Sequence, residues 1–327
     1  MTLLKGRSAG RLDISRPTGE YRVEQTLIKG DGGVKLERYD IVFIGQMGMG
    51  KVVPFHGSPF VESGSPVLFA AVAAASLGKK IAAATTVSPT DEYLLEPLRD
   101  AGVDLFVQPG ETAQYRVVFP TANVDERLSY LIRSGSPINT IPPFEPCLAH
   151  LCCIGAREAQ LDLMRSLRAR GFRLSVDMQG LILQADAATQ EMDHRDVPEK
   201  TEILRLTNVV KMDALEARIL TGSENGEDQV KILEGWGVGE IIITSAEGAL
   251  ARYKGQTTFA TFTNRSIRGR MGRGDTVIGS YLARRLDHSV EDSLRFAAAL
   301  ASIKMESSGP FRGCIDDVIQ RMNQSMG

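Results

Sequence analysis

The segment Ser266-Ile267-Arg268-Gly269-Arg270-Met271-Gly272-Arg273-Gly274-Asp275-Thr276-Val277-Ile278-Gly279-Ser280-Tyr281-Leu282 joins a Gly-x-Gly-Asp turn directly to an apolar helical pattern. Glycines let a backbone approach a ligand closely and adopt positive φ. The helix that follows has unpaired N–H groups at its start and a dipole that favours an anion there. Gly272 to Gly274 are therefore expected to cradle a phosphate, with Asp275 at the rim. A carboxylate beside such a cradle is a poor anion ligand but a suitable general base for a hydroxyl attacking the phosphate. An ordinary loop followed by an N-capping Asp is the structural alternative.

Working outward, strand and helix patterns alternate. Tyr39 to Ile44 reads as a continuous apolar strand, and Pro66 to Leu77 as a buried, Ala-rich helix stopped by Gly78. Strands are expected at Lys80–Thr86, Val103–Val107, His150–Ile154, Arg173–Asp177, Asn208–Met212 and Glu240–Thr244. Helices are expected at Asp91–Asp100, Ala156–Arg170, Ala214–Leu220 and Asp228–Trp236. Repeated strand–helix units imply an α/β fold: a three-layer, doubly wound, mostly parallel sheet covered on both faces. Ligands of such sheets bind at the C-terminal ends of the strands. The alternation breaks between Thr112 and Ile132, where two β segments with the mixed character of a sheet exposed on one side flank a turn. Residues 1–38 are polar and irregular and read as an N-terminal extension to a domain spanning 39–327.

With 38 Lys+Arg against 40 Asp+Glu, the formal charge of −2 gives no electrostatic case for nucleic acid or an anionic membrane. No apolar run reaches the ~18 residues of a spanning helix. Cys147, Cys152, Cys153 and Cys314 form no CxxC pair and the four histidines lack ligand spacing, so no zinc site is expected and the setting reads as reducing and cytoplasmic.

Gly45-Gln46-Met47-Gly48-Met49-Gly50-Lys51 fits most of a phosphate-binding P-loop. Val52 stands where the Mg²⁺-binding hydroxyl belongs, and Pro54, Gly57 and Pro59 oppose the helix such a loop needs. A mobile glycine-rich loop is expected there instead.

The Gly272–Asp275 turn and its helix resemble the second signature of the ribokinase-like, or PfkB, carbohydrate kinases, which is close to Asp-Thr-x-Gly-Ala-Gly-Asp. Gly272, Gly274 and Asp275 match, while Gly269, Arg270, Met271 and Arg273 depart from it. Further motifs follow in family order. Gly64-Ser65 stands a dozen residues before Leu77-Gly78, where the family has a Gly-Gly turn. Phe69 occupies the place of a substrate-binding Asn, and Gly50 lies near that of an early substrate-binding Asp. Asp177-Met178-Gln179-Gly180 resembles a family turn at a strand end. Lys211-Met212-Asp213-Ala214-Leu215-Glu216 resembles Asn-x-x-Glu; Asp213 and Glu216 share a helix face and fit either a water-mediated Mg²⁺ site or a capping box. Thr244 to Gly248 is similar to a shortened nucleotide loop, and the arginines at 268, 270 and 273 suit phosphate oxygens or simply solvent.

The resemblance implies an ATP- and Mg²⁺-dependent kinase acting on a hydroxyl of a sugar, sugar alcohol or nucleoside. Asp275 would be its base, with Gly272, Arg273 and Gly274 as the anion cradle. Lys211, Thr244, Gly248 and Arg270 would bind the nucleotide. Gly64, Ser65, Phe69, Asp177 and Gln179 would face the substrate, and Asp213 and Glu216 the metal. The resemblance also makes the segments between 112 and 132 part of a small β lid over the substrate, and a homodimer through the lid fits its exposed strands. The altered motifs leave open a binding or regulatory protein that kept the fold without catalysis.

Overall fold

The computed structural model describes residues 36–121, 126–138, 140–155 and 157–324. Most of the expected N-terminal extension, and the tip of the expected lid turn, lie outside the described residues.

Strand β1 (Ile41–Ile44) is buried along its whole length, which is why its four consecutive apolar residues show no alternation. Next come β2 (Gly48–Val53) and β3 (Phe60–Ser63), then helix α1 (Pro66–Ala75), capped by Ser65 and begun at Pro66. Strand β4 (Ile81–Val87) leads through a 3₁₀ segment, Pro89–Leu95, to the short α2 (Glu96–Asp100) and to β5 (Asp104–Pro109). Strands β6 (Ala113–Val118) and β7 (Leu128–Arg133) precede β8 (Leu148–Leu151), α3 (Arg157–Ala169) and β9 (Arg173–Asp177). A short α4 (Gln179–Ile182) runs into the hairpin of β10 (Leu183–Ala185) and β11 (Met192–His194). Helix α5 (Lys200–Leu206), β12 (Val209–Asp213), α6 (Ala214–Thr221), α7 (Gly226–Gly235) and β13 (Glu240–Thr244) follow. Strands β14 (Gly248–Tyr253) and β15 (Gln256–Thr261) and helices α8 (Arg273–Arg285), α9 (Val290–Met305) and α10 (Ile315–Gln324) complete the chain.

The main sheet has the order β15-β14-β13-β12-β9-β8-β1-β4-β5. It is parallel from β5 to β13, and β14 and β15 add an antiparallel edge. Helices α1, α8 and α9 cover one face through residues such as Leu68, Ile278 and Leu294. Helices α3, α5, α6 and α7 cover the other through Met164, Leu204, Ala217 and Leu233. Strand order reverses beside β1, so a ligand crevice is expected above the ends of β1 and β8. There the Gln46 side chain accepts a hydrogen bond from the Ile154 N–H at 3.2 Å.

Helices α1 and α8 cross in direct backbone contact. A Cβ at Gly279 would fall 2.1 Å from the Ala70 oxygen, so only glycine permits this approach. The contact lies one turn after Asp275 and sets the height of that residue above the sheet.

A separate sheet of order β3-β2-β6-β7 forms the lid. The stretch Gly45–Lys51 is thus not a mobile loop. Its second half is strand β2, paired with β3 and β6. No helix follows it, so the P-loop geometry is absent, and Lys51 is exposed on the lid. The lid accordingly draws on residues 48–63 as well as on the expected 112–132. Two smaller corrections concern boundaries. The strand expected at His150–Ile154 is Leu148–Leu151, because Cys152 to Ile154 turn into the crevice. The helix expected at Asp91–Asp100 begins as 3₁₀.

Candidate active site

Helix α8 is N-capped by Gly272, which has φ 75° and ψ 15°. That left-handed conformation suits glycine, and a Cβ there would also lie 2.2 Å from the Phe69 ring. Asp275 is in the first turn but is not the cap, and no side chain caps this helix. The plain N-cap alternative is therefore excluded. The cradle is narrower than expected, since the Arg273 amide donates to the Arg270 oxygen at 3.2 Å.

Beneath the turn lies Lys211, in the middle of β12 and 4% exposed. Its Nζ donates to Asp177 Oδ2 at 2.9 Å, and Asp177 Oδ1 accepts the Gln179 N–H at 3.0 Å. Parallel pairing of β9 and β12 places Asp177 directly beside Lys211. A Cβ built on Gly274 would meet Lys211 Nζ at 2.8 Å and Thr244 Oγ1 at 3.8 Å. The turn, the lysine, the aspartate and the threonine thus converge. Burial alone would lower the Lys211 pKa, but Asp177, Glu216 and Asp275 outweigh it and raise the value well above normal. Burial pushes the Asp275 carboxyl up, Asp177 adds to that shift, and Lys211 and Lys304 oppose it. A carboxylate held above its usual range beside two ammonium groups is suited to accept a proton near neutral pH.

Asp213 and Glu216 form the capping box. Glu216 N donates to Asp213 Oδ1 at 2.8 Å, and Asp213 N to Glu216 Oε2 at 2.7 Å. Glu216 is fully buried, its Oε1 has no hydrogen-bond partner, and His194 Nε2 lies 3.9 Å from it. Burial raises the Glu216 pKa, against the pull of Lys211.

The residues expected on the substrate side are less uniform. Ser65 Oγ donates to the Gln46 oxygen at 2.9 Å, so this side chain ties α1 to the loop after β1. Gly64 N donates to the Gly48 oxygen at 3.2 Å and its open side faces Met271 Sδ. Phe69 is fully buried, with its ring under Gly272. Gln179 is half-buried at the start of α4. Gly248 opens β14 and faces Ala260 and Phe259 of β15, so local packing alone accounts for a glycine there. Arg270 is half-buried in the turn, its N–H donating to the Ile267 oxygen at 3.1 Å.

Several functional candidates were missed in the sequence. A cavity of about 670 Å³ lies beneath the lid, lined by Tyr115 and Leu131 of the lid, Ile154 and Arg157 beyond β8, and Leu181 and Gln184. Lys304 of α9 is 1% exposed and reaches the turn at the Gly269 and Met271 carbonyls. Its only sequence signal is a lysine within the apolar run Phe296–Met305. Among the described residues, no group of three or more metal-ligating side chains forms a ready cation site, and no helix is long and apolar enough to cross a membrane. All four cysteines are free.

Residues 185–316 match the pfkB family carbohydrate kinases. A cytidine kinase of Thermococcus kodakarensis is 26% identical over 258 residues, which cover 75% of this chain and 87% of that protein. A sulfate complex of a pyrophosphate-dependent kinase in the ribokinase family superposes with a TM-score of 0.77 at 28% identity, covering 85% of this chain and 99% of the other. An Arabidopsis thaliana ribokinase complexed with ribose and ATP superposes with a TM-score of 0.68 at 16% identity, covering 87% and 98%, a likeness of fold.

Proposed function

We propose, for a chain that belongs to the ribokinase-like PfkB family of carbohydrate kinases, that it transfers the γ-phosphoryl group of ATP to a hydroxyl of a sugar, sugar alcohol or nucleoside. The observation that carries this reading is Asp275 in the first turn of α8, behind a left-handed Gly272, with the charges of Lys211 and Lys304 both acting on its buried carboxyl. Asp275 takes the hydroxyl proton as the new O–P bond forms and the bond to the leaving phosphate breaks. The amides of Gly272 and Gly274 and the Lys211 ammonium stabilise charge on the transferring group. The cavity under the lid supports an acceptor site, with apolar walls and a few polar groups to orient a small molecule. The lid keeps out water that would compete as acceptor.

The residues at the end of β12 fit a supporting role towards Mg²⁺. The unpartnered Glu216 oxygen and the neighbouring Asp213 are hard donors, and their capping box suits contact through water. The ion, when bound, supplies charge neutralisation on the donor phosphates.

Pyrophosphate is a second donor reading. The turn from Thr244 to Gly248 is closed on itself, with Ser245 Oγ donating to Glu247 Oε2 at 2.7 Å and Ser245 N to the Gly248 oxygen at 2.8 Å. The turn presents Ser245 and the exposed Glu247 beside a cavity of about 460 Å³ lined by Ile243, Leu250 and Phe259. The 28% identical relative is a pyrophosphate-dependent kinase. The test is a matrix of ATP and pyrophosphate against sugars, polyols and nucleosides, read by phosphorylated product. Saturable binding of an acceptor with no product from either donor would instead make the chain a binding protein.

A further inference from the structure

Lys304 is a fully buried lysine without a carboxylate at hydrogen-bond distance among the described residues. Its Nζ donates to the Gly269 oxygen at 2.5 Å and also to the Met271 oxygen, and lies 4.6 Å from the centre of the Phe69 ring. Gly269 is gripped at both ends, since its own N–H donates to the Met305 oxygen at 2.8 Å. Taking an ammonium out of water is costly, and a Met or Leu would fill this place in α9 without that cost. The charge is spent on two carbonyls and one ring face, all belonging to the glycine turn or to the residue packed under it.

A peptide unit is planar and trans, so its C=O and N–H point in opposite directions. The Met271 carbonyl points at Lys304. The N–H of the same peptide unit, that of Gly272, therefore points away from α9. Gly272 is the left-handed cap of α8, a residue type for which a flip of this peptide meets little steric resistance. Something outside the turn has to choose the orientation.

We infer that Lys304 is a positioning residue: a cation built into the fold that holds the Met271–Gly272 peptide with its N–H towards the phosphoryl group and thereby sets the turn that carries Asp275. This rests on the phosphoryl-transfer reading above. The charged groups that act on Lys304 are Glu62 of β3 and Asp275 of α8, and both favour its ammonium form. Burial outweighs them and lowers its pKa to about 8, so the clamp weakens in alkaline solution.

The test compares wild type with Lys304→Met and Lys304→Ala, using the acceptor and donor identified by the screen. Lys304→Met is expected to lower kcat about 10²–10³-fold, the effect of losing one oriented donor, with the acceptor KM little changed. Amide exchange over residues 266–274 should accelerate while exchange in the β1 and β12 core stays at the wild-type rate. Propylammonium should restore activity to Lys304→Ala, and 1-propanol, which fills the same space without charge, should not. Equal rescue by both additives, or wild-type kcat and exchange in Lys304→Met, would overturn the inference. Absence of turnover by wild type with every donor and acceptor would instead overturn the kinase reading, and the exchange measurement would still decide the role of Lys304.

Discussion

A side chain at Gly274 would begin 2.8 Å from the Nζ of Lys211, so the glycine turn rests directly on a buried ammonium group. Backbone amides above and a fixed positive charge below give an anion two kinds of partner in one place, and the Lys211–Asp177 pair keeps that charge oriented. Gly274→Val is accordingly expected to cripple turnover. Arg273→Ala should do much less, because truncation leaves the backbone in place. Similar small losses in kcat/KM for both variants would show that the turn is only a loop.

Asp275→Asn should lower kcat about 10²–10⁴-fold while donor affinity, measured by calorimetry, stays near wild type. Wild-type turnover in this variant would remove Asp275 from the mechanism.

The raised pKa of Asp275 also has a sign for stability. The folded state holds its proton at a higher pH than the unfolded chain does, so this group's contribution to stability declines as pH rises through the folded value. Asp275→Asn should therefore melt higher than wild type at pH 7, with the difference vanishing below about pH 4, where both states are protonated. In the wild type, kcat should fall with acidification through the same raised value. A melting temperature for the Asn variant below wild type at pH 7 would contradict the assignment.

Lys211→Met leaves Asp177 buried opposite a neutral side chain. Breaking a buried pair in this way costs about 3–5 kcal/mol, measurable by urea unfolding. Lys211→Met combined with Asp177→Asn should recover part of that loss without recovering activity. A single variant as stable as wild type would mean the pair is not buried as described.

Lys51→Ala should leave donor affinity and turnover within a few-fold of wild type, since Lys51 is an exposed residue of a lid strand. Arg270→Ala, in the turn itself, should weaken donor use by about 1.5–3 kcal/mol, the worth of a charged hydrogen bond. Michaelis constants for the donor decide between them, and the reverse pattern would move the phosphate site to the lid.

Much of this protein was legible in one dimension, for physical reasons. Uninterrupted apolar runs such as Ile41–Ile44 and Ile241–Ile243 have to be buried on both faces, and with the helices between them they require a covered parallel sheet. The box between Asp213 and Glu216 involves only neighbours in sequence, and the glycines that open α8 are legible as a turn, although contacts from α9 hold it. The lid strands β2 and β3 were hidden because the buried positions of Gly48–Val53 include two glycines, so its alternating burial leaves no apolar–polar pattern in the sequence. β2 exists through pairing with β6, some sixty residues away in the chain, and β3 through pairing with β2. The meeting of Asp177, Lys211 and Gly274 depends on the parallel register of β9 and β12 and on the crossing of α1 and α8 at Gly279. Lys304 is one lysine among many in the sequence. Only folding, by burying it against the carbonyls of Gly269 and Met271, ties its charge to the glycine turn before α8.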